Sequence, residues 1–284
     1  MDASFIAAEA RAALDAAGQL PDAELDLAAI ALQFARIDAP EADAAAAAAH
    51  LSEIARQAVA MAVEDPAADA GDAPRRAAVL AELLHSRLGY EGDQQTYDDP
   101  ANANLIRVIE RRRGLPVALG LLWLHAAEAA GWEAHGLDFP GHFLLGVAGT
   151  RGMVVVDPFH GGLILEAPAL RALLKQFEGE QAELRPGLLA GLGKRLVLIR
   201  LQNNIKLRRL RAGNMQGALT CTEDILRLAP ADAMMWRDAA IMNQRLDRIG
   251  AALACLEHFL ALVPEGEAAE RARALANELR QRLN

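Results

Sequence analysis

Phe139-Pro140-Gly141-His142-Phe143-Leu144-Leu145-Gly146-Val147-Ala148-Gly149-Thr150-Arg151-Gly152-Met153-Val154-Val155-Val156-Asp157 is the stretch on which the fold turns. Two apolar runs, 142–148 and 153–157, flank a Gly-containing polar connection, which predicts a β-hairpin. Shorter runs at 134–139 and 163–166 extend it to a small antiparallel sheet. Pairing Ala148 with Met153 places His142 opposite Phe159 and diagonal to Asp157, and a register shift of two sets His142 and Asp157 face to face. In either register the Cβ atoms lie roughly 5 to 8 Å apart. That is close enough for a carboxylate to orient an imidazole.

Upstream, Arg113-Gly114-Leu115-Pro116 opens a helix with proline in its first turn, where no amide donor is needed, and Gly131 stops it. The apolar stretch 115–132 is interrupted by His125 and Glu128 and is too short to span a bilayer, so it predicts a buried helix with His125 in the core. Residues 2–88 carry Ala, Leu and Ile at helical spacing, with breaks at 18–22, around Ala39-Pro40 and at 65–74. The chemistry is therefore expected between 89 and 168.

His142 and Asp157 on neighbouring strands, with a helix N-terminus nearby, supply two parts of a nucleophile, base and orienter arrangement. The third part is missing. Ser4, Ser52, Ser86, Thr96, Thr150, Thr220 and Thr222 all lie off the 115–130 helix, and cysteine occurs only at Cys221 and Cys255. Ser86 or Thr96 reaches the pair only if the loop before Asn102 folds back. Asp138, His142, Asp157 and His160 offer metal-ligating atoms, but alternate strand residues point to opposite faces, so no metal site and no cofactor are expected.

The motifs Asp99-Pro100-Ala101-Asn102-Ala103-Asn104-Leu105, Glu110-Arg111-Arg112-Arg113-Gly114-Leu115-Pro116, Phe139-Pro140-Gly141-His142-Phe143 and Val156-Asp157-Pro158-Phe159-His160-Gly161-Gly162 resemble, in order and spacing, the bacterial SirB-type transglutaminase-like family. In that family such a core precedes tetratricopeptide repeats. The resemblance implies an α+β, papain-like core with a small antiparallel sheet and a helical N-terminal part. It maps the family's His and Asp onto His142 and Asp157. The family's cysteine falls at Pro116, Val117 or Ala118, none of which can attack a carbonyl, so the implied site is degenerate. Asn102, Asn104, Glu110, Arg113 and Trp123 are the candidate cleft residues. Asn102 and Asn104 are equally suited to helix capping, and Arg111 to Arg113 to ion pairing with Glu110, Asp98 and Asp99.

Superposing 213–230 on 247–264 aligns Ala218 with Ala252, Leu219 with Leu253, Cys221 with Cys255, Leu226 with Leu260, Leu228 with Leu262 and Pro230 with Pro264, a shift of 34 residues. That is the tetratricopeptide period. Helical hairpins are expected at 196–230 and 230–264, with a capping helix at 265–283 and both cysteines as packing residues. The predicted domains are 1–185, transglutaminase-like, and 190–284, two repeats plus the cap.

With 4% aromatic residues, the core must be packed largely by Ala and Leu, which favours helices. A net charge of -9 disfavours nucleic acid and membrane surfaces as partners. Two cysteines form no disulfide framework, and residues 1–10 lack a signal-peptide pattern, so a cytoplasmic location is expected. Together these readings point to a non-catalytic protein that binds a protein or peptide and acts in regulation. The alternative is a hydrolase of amide or peptide bonds that activates water with the His142–Asp157 pair.

Overall fold

The computed structural model describes residues 2–185 and 187–282. The chain divides into two compact units: Pro21–Leu201 with the residues up to Ala7, and Ala8–Leu20 with the chain from Gln202 onward. The helices and strands, in order, are α1 (Ala3–Gly18), α2 (Leu27–Asp38), α3 (Ala44–Glu64), α4 (Pro66–Asp69), α5 (Ala73–Ala81), β1 (Glu91–Gly92), α6 (Leu105–Arg111), β2 (Arg113–Gly114) and α7 (Pro116–Ala129). They continue with β3 (Ala134–Phe139), β4 (His142–Gly149), β5 (Gly152–Asp157), β6 (Leu163–Ile164), α8 (Ala167–Glu178), β7 (Gly191–Leu192), α9 (Lys194–Arg211), α10 (Met215–Leu228), α11 (Ala233–Arg245), α12 (Ile249–Leu262) and α13 (Glu267–Gln281). The architecture is α+β, as the sequence predicts.

In the first unit the sheet runs β6-β5-β4-β3-β7, antiparallel throughout. Ala148 pairs with Met153 and Gly149 with Gly152, the predicted register. The pairing of β4 with β5 stops at Leu145 and Val156, however, because β5 ends at Asp157 and the chain turns through Pro158. Phe159 therefore lies in a turn, not opposite His142, which pairs with Phe139 across the β3–β4 hairpin. Strand alternation sends Leu144, with Leu137, Phe139 and Val155, towards Leu170 and Leu174 of α8. Phe143 turns to the other face, where Gly120 of α7 has no side chain; a Cβ there would stand 2.4 Å from the Phe143 ring.

Helix α7 begins at Pro116 and ends against Gly131, whose φ of +72° completes the stop. Ten of its fourteen residues are buried, and α2, α3 and α6 pack on it. His125 is half-buried, and its Nε2 pairs with the Leu51 carbonyl at 3.0 Å. Asn104 caps α6 by accepting from the Arg107 amide at 3.2 Å, while its Nδ2 donates to the Ala35 carbonyl at 3.1 Å.

In the second unit, α9 from Gln202 onward, with α10, α11 and α12, forms the two predicted hairpins, and α13 follows. The expected end of the last helix, Leu283, lies outside the described residues. Ala218 and Ala252 are both fully buried, the small contacts that a repeated helix crossing requires. The repeat extends to polar contacts: Arg209 donates to Cys221 Sγ at 3.0 Å and Asn243, 34 positions later, donates to Cys255 Sγ at 3.8 Å. Burial pushes the Cys255 thiol up, away from the reactive thiolate.

Replacing Asn104 by Ala removes a cap and one of the two hydrogen bonds that the Ala35 carbonyl accepts, that from the Ala39 amide remaining, and should lower stability by about 1 kcal/mol in urea unfolding. A change within error would show that the side chain has no structural task there.

Candidate functional site

The site is assembled from the start of α7, the start of β4 and the turn after β5. At α7, the Leu115 amide donates to the Asn102 carbonyl at 2.9 Å and no side chain caps the helix. At the start of the helix Val117 and Ala118 are buried and Pro116 is half-buried. Trp123, one turn on, is a core residue: its ring lies where a Cβ on Gly162 would stand 2.5 Å away, and Gly162 has a φ of +88°. It lines no cleft.

The half-buried His142 ring meets Phe177 of α8 edge-on, with centroids 5.0 Å apart. Its Nε2 is buried without a hydrogen-bond partner. None of its described hydrogen bonds or ring contacts reaches Pro116, Val117 or Ala118. Burial depresses the imidazole's pKa; nearby Asp157 opposes that and His160 reinforces it. The His142 carbonyl accepts from Arg200 Nη2 at 3.0 Å, and Arg200 also pairs with Asp138.

Asp157 and His142 influence each other electrostatically, but the imidazole bonded to Asp157 is that of His160, Nδ1 to Oδ2 at 2.7 Å. The other carboxylate oxygen accepts from the Phe159 and His160 amides at 2.9 and 3.3 Å. This is an Asx turn, which the local order Asp-Pro-Phe-His permits. The Asp157 side chain is 8% exposed and that of His160 is 50% exposed, so a buried carboxylate holds a solvent-facing ring. With Nδ1 donating, Nε2 is the acceptor.

Next to this turn lies a polar network centred on Asp93, a residue the sequence reading passed over. Its carboxylate accepts from the Thr96 hydroxyl at 2.6 Å, the Thr96 amide at 2.8 Å and Arg111 Nη2 at 3.0 Å. Those contacts, led by the Thr96 hydroxyl, hold its pKa down at about 2 despite burial. Asn102 is fully buried and donates to the Thr96 carbonyl at 2.7 Å. Gly92, beside Asp93, donates its amide to the Phe159 carbonyl at 3.2 Å, and Tyr97 packs edge-on against Phe159 at 5.9 Å. The loop and the His160 turn are therefore one structure.

The remaining candidates separate from it. Glu110 is exposed and pairs with Arg107 at 2.9 Å, and Arg113 pairs with Glu91 at 2.8 Å. Arg111 lies 3.2 Å from Asp99 as well as bonding Asp93, and Arg112, at a φ of 58°, lies over the Tyr90 ring. The Arg111 to Arg113 cations are thus engaged in ion pairs or ring contacts within the unit. Among the described residues no group of three or more His, Cys, Asp or Glu converges on a point that could hold a metal. The Asp93-x-x-Thr96 spacing is the one local signal that would have exposed the network. Phe177 and Arg200 reach the site only through tertiary packing.

A carboxylate whose folded pKa is depressed stabilises the fold above its unfolded pKa, and that stability drains as pH falls towards the folded value. Asp93 should therefore make the first unit lose stability between about pH 4 and pH 2. Asp93→Asn should be less stable at neutral pH and show a shallower acid slope in pH-dependent thermal melting; an unchanged slope would mean that the network does not hold in solution.

Residues 45–203 match the transglutaminase-like superfamily and residues 205–277 the tetratricopeptide repeat. A UPF0162 protein of Pseudomonas aeruginosa is 30% identical over 84% of this chain and 83% of its own length. A UPF0162 protein of Xylella fastidiosa is 32% identical over 59% of this chain, a match that spans only 61% of the relative's length. The mouse F-box only protein 21 is 33% identical over 22% of the chain, 10% of its own length. By the first match and the Pseudomonas relative, the chain belongs to the transglutaminase-like superfamily, among the UPF0162 proteins, with tetratricopeptide repeats following its core.

Proposed function

We propose that this chain is a non-catalytic, SirB-type transglutaminase-like protein that works in the cytoplasm by binding a protein or peptide, in a regulatory role. The observation that carries this reading is the first turn of α7, where the family's nucleophile position offers Pro116 and the buried Val117 and Ala118. The Thr96 hydroxyl, which the sequence offers in the preceding loop, is engaged elsewhere. Thr96 donates its proton to Asp93, and a carboxylate with a pKa of about 2 is too weak a base to activate it. His142 is covered by Phe177, with its Nε2 buried. The repeats support binding, since tetratricopeptide units generally serve protein association. No helix among the described residues is long and apolar enough to cross a membrane.

A second reading, hydrolysis of amide or peptide bonds by a His/Asp pair acting on water, keeps one observation in its favour. Asp157 does hold an imidazole in the tautomer a general base needs, although the ring is that of His160. The alternatives separate in one set of measurements on the purified chain and its His142→Ala, His160→Ala and Asp157→Ala variants, each checked for folding. No turnover of peptide or amide substrates by the wild type, together with capture of members of a synthetic peptide array, is the expected result. Wild-type turnover that disappears in folded variants overturns the non-catalytic reading, and an array with no bound peptide overturns the binding one.

A further inference from the structure

One edge of the sheet in the first unit is left partly open. Strand β6 pairs only with Val156 and Asp157 of β5, and the Leu165 amide then takes the Val155 carbonyl at 2.8 Å before the chain leaves for α8. Strand alternation puts Met153 on the same edge, nearer the hairpin turn. Its neighbour across the strand pair is Ala148, whose amide turns away from β5 to the Glu133 carbonyl at 2.9 Å, so Ala148 and Met153 exchange no hydrogen bonds. The Met153 N–H and C=O therefore point out from the edge of β5. Among the described residues no hydrogen bond reaches them. Unpaired edge groups of this kind are a template for another strand.

A groove of about 590 Å³ lies between residues 150–154 and the elbow that joins α4 to α5. Thr150 pins its two sides together, its amide and its hydroxyl both donating to the Gly71 carbonyl, at 2.8 and 3.3 Å. The elbow side is apolar and shallow, built from Ala67, Ala70, Ala73 and Pro74. Two charged residues line the groove. Asp72 is committed to the start of α5, where its carboxylate accepts from the Arg75 amide at 2.9 Å. Arg151 is exposed, and among the described residues it makes no ion pair or side-chain hydrogen bond. The uncommitted charge of the groove is thus a single cation.

We infer that the open edge of β5 accepts an extended peptide segment as an added strand, one that carries β-branched residues and an acidic side chain near Arg151. The inference rests on the peptide-binding reading above and gives it a surface and a bound conformation. Main-chain pairing with Met153 supplies affinity, and the shallow alanine side of the groove receives alternate side chains of the added strand. Arg151 selects the acidic residue.

The test uses the full chain and a fluorescein-labelled Glu-Val-Thr-Val-Thr-Val peptide with an amidated C-terminus, read by fluorescence anisotropy. Two further peptides carry N-methyl groups, one on its valine amides and the other on its threonine amides. Because alternate amides of a strand point to opposite sides, one methylated peptide should bind about tenfold more weakly than the parent and the other should stay close to it. Amide hydrogen exchange at Met153 should slow when the parent binds. Arg151→Glu should weaken binding about fivefold, and less at high salt, whereas Arg271→Glu on the exposed part of α13 should bind as wild type. Circular dichroism melting confirms that each variant is folded. No binding of the parent, equal binding of both methylated peptides, or unchanged exchange at Met153 overturns the inference. Sedimentation showing a dimer that Met153→Pro dissolves, with no peptide bound, gives the edge to a second copy of the chain and overturns it too. If the array captures peptides that leave exchange at Met153 unchanged, the inference fails and the binding reading stands; if it captures none, both fail.

Discussion

A helix with no polar side has to be covered on every side, and in this protein that helix is α7. Its run from Val117 to Ala127 is buried at every position except the half-buried His125. The sheet covers one side and α2, α3 and α6 cover others, which is the arrangement that removes its apolar surface from water. Gly120 sets the spacing, since the Phe143 ring occupies the volume a side chain would take. Once α7 is enclosed in this way, its N-terminus can present only what its own sequence places there. That sequence is Pro-Val-Ala, which carries no hydroxyl or thiol.

The fate of Asp157 follows from a competition between a local and a distant partner. Cross-strand pairing would bring it towards His142, but Pro158 turns the chain out of the sheet and an Asx turn delivers His160 three residues on. The local contact costs little chain entropy, which favours it over a partner on another strand. His142, on the α8 side of the sheet, is covered instead by Phe177. The strand pair is the predicted one in register, and the imidazole hydrogen-bonded to Asp157 is that of His160.

The second unit solves a different problem, in which each hairpin must bury a face that it cannot cover alone. Alanine at equivalent positions lets the helices close, and the Arg209–Cys221 and Asn243–Cys255 contacts show the repeat carried into polar detail with altered donors. The copies are not equal, however. Leu228 is fully buried while Leu262 is 42% exposed. Nearest-neighbour packing is the physical difference, since the later hairpin is followed by α13 in place of another repeat.

By itself the sequence determined those features in which one periodicity or one spacing carries the signal. These are the 34-residue repeat, the hairpin register at Gly149 and Gly152, the apolar helix opened by Pro116 and stopped by Gly131, and the absence of a hydroxyl or thiol on it. Asn104 as a cap was legible for the same reason, because its partner lies three residues away. Tertiary structure alone decided that Asn102 faces the Asp93 network, that Trp123 is core, that Phe177 covers His142 and that Asp157 serves His160. Those outcomes depend on which way a side chain turns after its strand or helix has docked. Pattern and spacing constrain the docking, but the packing of distant residues chooses the partner.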